Sequence, residues 1–189
     1  MNQIWQMWRG GISPAICDHI IRDCEQLQPM QAEVGYGAGQ AVKRINTEVR
    51  RSEVRWAGHL EWINQLVFRY AMRANKAAFG FDICHLEDIQ YTIYNGTDEG
   101  YYDWHFDTFW ANATAFDRKI SVTIQLSSPT DYEGGEFLLD AQYEAPDPVA
   151  LKERGTVFCF PSPLQHTVKP VTKGIRKSLV AWVEGPKFK

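Results

Sequence analysis

Apolar positions along the chain follow two periods, helical in the first part and alternating in the second. SPAICDHIIRDCEQL, residues 13–27, sets Ile16, Ile20 and Leu27 at helical spacing, with Cys17 and Cys24 on the same side. Ser13 followed by Pro14 is a start signal, because the hydroxyl accepts from a first-turn N–H and proline forgoes a donor that the first turn leaves unpaired. WAGHLEWINQLVFRYAMRANKAAFG, residues 56–80, predicts a second, longer helix with Leu60, Ile63, Leu66, Val67 and Tyr70 as its stripe. Between them VGYGAGQ, residues 34–40, lacks the phosphate-loop pattern and predicts a loop. Nothing in the sequence decides whether Gly35–Gly39 is a lid.

From about Asp88 the runs shorten and become β-branched or aromatic: IQYTIYN, RKISVTIQLS, GEFLLD, GTVFCF, QHTVKPV and RKSLVAWV. Asn95-Gly96, Ser128-Pro129, Gly134-Gly135, Pro161 to Pro163 and Lys173-Gly174 punctuate them. Within SVTIQL, Ser121, Thr123 and Gln125 alternate with Val122, Ile124 and Leu126, which predicts a polar row facing a lumen and an apolar row packing outward. The fold class is mainly β with N-terminal helices: a barrel or jelly roll buttressed by two helices. One domain is expected over 1–189, with 1–87 a mostly helical support region and 88–185 the β core.

Bulk properties narrow the class. With 189 residues the chain can bury one full core, and its net charge of −3 gives no electrostatic footprint for nucleic acid. Cys17, Cys24, Cys84 and Cys159 form no CxxC pair, so free thiols in a reducing compartment are expected. MNQIWQMWRGG has neither a cationic leader nor an apolar core, and no apolar run is long enough for a bilayer. These features predict a cytoplasmic protein without a membrane or nucleic-acid partner; they leave its oligomeric state open.

The chemistry centres on WHFDTFW, residues 104–110, where His105 and Asp107 stand two positions apart at the end of an extended stretch. His166 is a third candidate ligand, and two histidines with one carboxylate form the facial set that suits non-haem iron(II). On its own that set leaves two readings open, since five histidines allow several such pairings. Arg176 and Ser178 add weight: they share one strand face, and a guanidinium fork beside a hydroxyl suits a buried dicarboxylate. The turn TKG between His166 and Arg176 predicts that their strands are neighbours.

The order His105-x-Asp107, His166, Arg176-x-Ser178 resembles the iron(II)- and 2-oxoglutarate-dependent dioxygenases, in particular the prolyl-4-hydroxylase-like branch. Tyr94-Asn-Gly with Tyr102, DYEGGEF (131–137) and GTVFCFPSPLQHTVKPVTKGIRKSLVAW (155–182) also match, so the likeness runs from Ile89 to Trp182. It implies a double-stranded β-helix of the cupin-like kind. His105, Asp107 and His166 would hold Fe(II), Arg176, Ser178 and Tyr94 would receive 2-oxoglutarate, and O2 would be consumed, with ascorbate as reductant. Gln125 departs from relatives that carry a cosubstrate-contacting tyrosine there. Asp107 is retained, which favours hydroxylation over halogenation. Trp182 stands where the nucleic-acid demethylases carry a second arginine.

Among the flanking aromatics Trp104, Phe106, Phe109 and Trp110, packing is the commoner role; Trp110 and Tyr102 are the candidate substrate contacts. Arg50, Arg51 and Arg55 form a basic cluster that reads as a solvated face or, more sharply, as a contact for an anionic or peptide substrate. His19, His59 and His85 read as structural. The expected activity is hydroxylation of an unactivated carbon in a prolyl or other amino-acid residue of a peptide. The alternatives are a free amino acid or small metabolite as substrate, and a non-catalytic metal-binding jelly-roll module.

Overall fold

The computed structural model describes residues 4–35, 45–108, 110, 114–141 and 144–189. Two facing sheets form an open sandwich, with two helices behind the larger one. Its strands are β1 (Gln6–Trp8), β2 (Met30–Gln31), β4 (Glu53–Trp56), β5 (His85–Asn95), β7 (Phe116–Gln125), β8 (Tyr132–Gly134), β10 (Val157–Pro161) and β12 (Val171–Pro186). They lie in the order β1-β10-β7-β12-β5-β4-β2, with β8 pairing β12. The smaller sheet runs β3 (Arg50–Arg51), β6 (Tyr101–His105), β11 (His166–Val168) and β9 (Phe137–Leu139). The arrangement is the expected jelly roll; its sheets remain open rather than closing into a barrel.

Helix α1 spans Pro14–Glu25, with the Ser13 hydroxyl accepting from the Ile16 N–H as its cap. Cys17, Ile20 and Cys24 are its buried face. Helix α2 spans Glu61–Ala74 and buries Ile63, Val67, Tyr70, Ala71 and Ala74. It starts later than periodicity predicts, because Trp56 belongs to β4, where it pairs Gln90. A π-helical turn at Asn75–Phe79 follows, and Gly80 ends it. The region before residue 88 thus carries strands as well as helices. Their short, arginine- and glutamate-bearing sequences gain strand character only from partners far along the chain, such as Arg50 opposite Tyr102.

The main core lies between the helices and the outer face of the larger sheet, where Ile63 and Val67 meet Ile120, Ile124, Leu179 and Ala181. Full burial of Ile63 or Val67 contributes about 1.5–3 kcal/mol each. Strand β7 follows the predicted alternation in part: Val122, Ile124 and Leu126 join that core and Ser121 and Thr123 line the cavity between the sheets, but Val122 also touches the cavity and Gln125 does not reach it. A second apolar cluster, including Phe137, Phe158, Phe160 and Val168, fills the sandwich beside the cavity.

One expected neighbour relation is different. Strand β11 pairs β6 and β9, while β12 pairs β5, β7 and β8, so the segment after Val168 crosses between sheets. TKG is therefore no hairpin turn; it lies inside β12 opposite β8. His166 and Arg176 face the same interior from opposite walls. All four cysteines are free, with Cys17, Cys24 and Cys159 buried. No helix among the described residues is long and apolar enough to cross a membrane.

Candidate active site

A cavity of about 360 Å³ opens between the sheets. His105 ends β6, Asp107 lies just beyond it, and His166 starts β11 directly opposite His105. This pairing, between residues sixty-one positions apart, brings together candidate ligand atoms that all lie within 4.8 Å of one another. His105 Nε2 is 3.9 Å from Asp107 Oδ1, and His166 Nε2 is 3.5 Å from Asp107 Oδ2. The backbone fixes both rings: His105 Nδ1 lies 2.7 Å from the Asp103 carbonyl and His166 Nδ1 lies 3.0 Å from that of Leu164. A carbonyl can only accept, so each Nδ1 carries the proton and each Nε2 keeps its lone pair for a metal.

The electrostatics agree. Burial, reinforced by the neighbouring His166, pushes the His105 imidazolium down to about 3, so the ring is neutral near pH 7. Burial alone would raise the Asp107 carboxyl, but His166, His105, Arg118 and the Ser121 hydrogen bond outweigh it and hold the group ionised. The Ser121 hydroxyl donates to Asp107 Oδ2 at 2.6 Å and also meets Ser162 Oγ at 2.9 Å. The Asp107 N–H donates to the Ser162 carbonyl at 3.0 Å. Ser121 is thus an orienting partner as well as a lumen residue, a role that strand alternation did not distinguish.

Arg176, Ser178 and Tyr94 stand together on the larger sheet and line the same cavity. Arg176 Nη1 lies 3.4 Å from Ser178 Oγ, and its guanidinium is 5.5 Å from the Tyr94 ring centre. Arg176 is only 4% exposed, yet it makes no ion pair among the described residues. A buried cation that no described carboxylate pairs with fits an anionic ligand, as the far carboxylate of 2-oxoglutarate would be. Gln125 lies beyond the cavity wall, donating to the Ser127 carbonyl and the Tyr132 hydroxyl.

The aromatic surround divides. Tyr102 and Phe106 line the cavity, and Tyr102 stacks on His105 with ring centres 3.4 Å apart. Trp110 does not line it: it is 56% exposed and packs on Phe188. Trp104 is also exposed, with Lys169 beside its ring. Phe109 and most of the VGYGAGQ loop lie outside the described residues. His19, His59 and His85 stay on the surface. The basic cluster separates as well: Arg55 pairs Glu53, Arg51 donates to the Asp98 carbonyl, and Arg50 is buried in the cavity wall. No linear signal marks Arg50, whose place depends on β3 pairing β6.

Residues 89–184 match the family model of the 2OG-Fe(II) oxygenase superfamily. The chain belongs to this superfamily, and membership implies Fe(II), 2-oxoglutarate and O2, which the donor set and the Arg176 pocket fit. A PKHD-type hydroxylase from a Synechococcus species (strain CC9311) is 36% identical over 123 residues, covering 65% of this chain and 53% of the relative. A second, from Gloeothece citriformis, is 37% identical over 84 residues, covering 44% of this chain and 37% of the relative. The chain therefore spans between about a third and a half of the length of these curated relatives. A Pseudomonas putida prolyl-4-hydroxylase shares the fold with a TM-score of 0.71 at 15% identity, over 98% of this chain and 94% of that one.

Proposed function

We propose that the protein is an iron(II)- and 2-oxoglutarate-dependent hydroxylase that inserts oxygen at an unactivated C–H bond, in a prolyl or other amino-acid residue of a peptide. The carrying observation is the convergence of His105, Asp107 and His166 in one cavity with a buried arginine that forms no ion pair among the described residues. His105, Asp107 and His166 would hold the metal, and Arg176, Ser178 and Tyr94 would receive the cosubstrate. With iron(II) and 2-oxoglutarate bound, O2 would be the oxidant: 2-oxoglutarate would give up two electrons and the substrate C–H bond two more, one oxygen atom leaving in succinate alongside carbon dioxide and the other in the new hydroxyl group.

The chain's own groups do the positioning. The two carbonyl-held imidazoles keep their tautomers, and Ser121 fixes the carboxylate plane of Asp107. The Arg176 fork sets the orientation of a dicarboxylate, while Phe137 and Phe160 pack on His166 and exclude water from that side. A peptide substrate is consistent with the fold shared with a Trichoplax adhaerens prolyl hydroxylase in complex with a hypoxia-inducible-factor peptide, at a TM-score of 0.69 and 16% identity over 96% of this chain and 83% of that one.

The test supplies purified protein with iron(II), ascorbate and 2-oxoglutarate under air. Slow succinate release is expected, along with an anaerobic visible charge-transfer band that chelator removes and iron(II) restores. Full iron loading with neither signal would sink the enzyme reading.

A further inference from the structure

Arg50 was one of three basic residues in a short run, and the structure separates it from the others. It is 6% exposed and lines the active-site cavity. Its Nε donates to Ser52 Oγ at 2.9 Å and its Nη2 to Gln90 Oε1 at 2.6 Å. The guanidinium lies over the Tyr102 ring at 4.5 Å, and the same ring stacks on His105. Every one of these partners is neutral.

Burial is what makes this unusual: Arg51, Arg69 and Arg73 also form no ion pair among the described residues, but none of them is buried. Arg9, Arg22, Arg55, Arg118 and Arg154 each reach a carboxylate. Among the described residues the two buried arginines, Arg50 and Arg176, form no ion pair, and both line the cavity. The segments outside the description contain no aspartate or glutamate that could supply one. A permanent cation taken out of water and given only neutral partners lacks its counter-charge. Gln90 Oε1 is committed to Arg50 and to the Thr92 hydroxyl, which leaves the Gln90 amide nitrogen to donate beside the guanidinium.

We infer that Arg50 and Gln90 form a carboxylate-binding subsite for the substrate, separate from the Arg176 pocket and one aromatic ring removed from His105. The substrate class is therefore a molecule or residue bearing a carboxylate near the carbon to be hydroxylated. Three sources share that chemistry: a free amino acid, a peptide C-terminus and an acidic side chain. Planar bidentate recognition by the fork favours carboxylate over amide. The inference rests on the hydroxylase reading above.

Matched pairs test it. The probes are free amino acids against their amides, tripeptides with a C-terminal acid against amide, and doubly capped tripeptides carrying Asp or Glu against Asn or Gln. Each is titrated anaerobically into the iron(II)·2-oxoglutarate form, where a shift of the charge-transfer band reports binding without turnover. Each is then incubated in air and examined by mass spectrometry for one added oxygen. The acid members of one pair should bind and react, with their amides weaker by on the order of 100-fold. Arg50→Met should lose that preference while its 2-oxoglutarate titration still develops the band. Arg50→Lys should recover part of it.

Equal behaviour of acids and amides, or no band shift with any acid, overturns the subsite. So does an unaltered preference in Arg50→Met. The charge-transfer band of the unaltered protein keeps the two readings apart: its absence sinks the hydroxylase itself, whereas its presence with no acid preference sinks only Arg50.

Discussion

Replacing Gly135 with alanine should strain the fold and loosen the proposed cosubstrate pocket together. Gly135 follows β8 with φ at +64°, in the left-handed region, and its N–H donates to the Pro170 carbonyl. A Cβ there would stand 2.9 Å from Val171 Cγ2 and 3.1 Å from both Arg176 Cδ and Tyr132 Cε2. The left-handed conformation costs an L-residue about 1–2 kcal/mol, and crowding a packed site adds about 1–3 kcal/mol. Gly80 supplies the control, since it has φ of +65° but nothing within 4 Å of its would-be Cβ. Gly80→Ala should therefore show the backbone cost alone.

In a domain of this size each kcal/mol moves Tm by about 2–4 °C. Gly80→Ala is expected to fall by about 2–8 °C and Gly135→Ala by about 4–20 °C. The separating measurement is 2-oxoglutarate affinity, read from the anaerobic charge-transfer titration. Gly135→Ala displaces the stem of Arg176 and should weaken it, whereas Gly80→Ala should not. If both variants lose equal stability and bind the cosubstrate alike, the close packing of Gly135 against Arg176 is wrong.

Ser121→Ala removes the donor to Asp107 Oδ2 and should lower iron affinity by roughly 10- to 100-fold, measured by competition with a chelator; an unchanged affinity would count against the orienting role. Arg176→Lys should raise the 2-oxoglutarate requirement more than it weakens iron binding, because the fork becomes a point charge. Glu25 is held below the usual carboxylate range chiefly by its hydrogen bond from Lys177. The pair's contribution is thus present above the unfolded carboxyl value and lost as pH falls through the depressed folded value. Lys177→Met should cost less than about 1 kcal/mol at pH 7, since the pair is partly exposed, and the deficit should vanish in acid; denaturant midpoints at both pH values check this.

Local chemistry made much of the fold legible. Ser13-Pro14 marks the start of α1 because capping is decided within one turn, and SVTIQL reveals its faces because strand side chains alternate strictly. The helical period extends over WAGHL because its apolar residues suit either period, and only the pairing of Trp56 with Gln90 decides between them. The hairpin expected at TKG failed for a similar reason. A glycine-bearing turn signal reports local backbone freedom, while the crossing from β11 to β12 is dictated by the sheets each strand joins.

The site shows the same division between residue type and placement. His105, Asp107, His166, Arg176 and Ser178 were readable because their types and order are chemically restrictive. Arg50 was not, since an arginine in a basic run has no local property that separates a solvated cation from a buried one. Its burial comes from β3 pairing β6 and from Gln90 reaching across from the facing sheet. The hydrogen bond from Ser121 to Asp107 also crosses between the walls, joining β7 to the segment that follows β6. The geometry of the proposed metal site therefore depends on the spacing of two sheets, and α2 packs against the back of β7, fixing that wall from outside. The N-terminal helices carry none of the proposed ligands, yet their burial holds Ser121 where it meets Asp107.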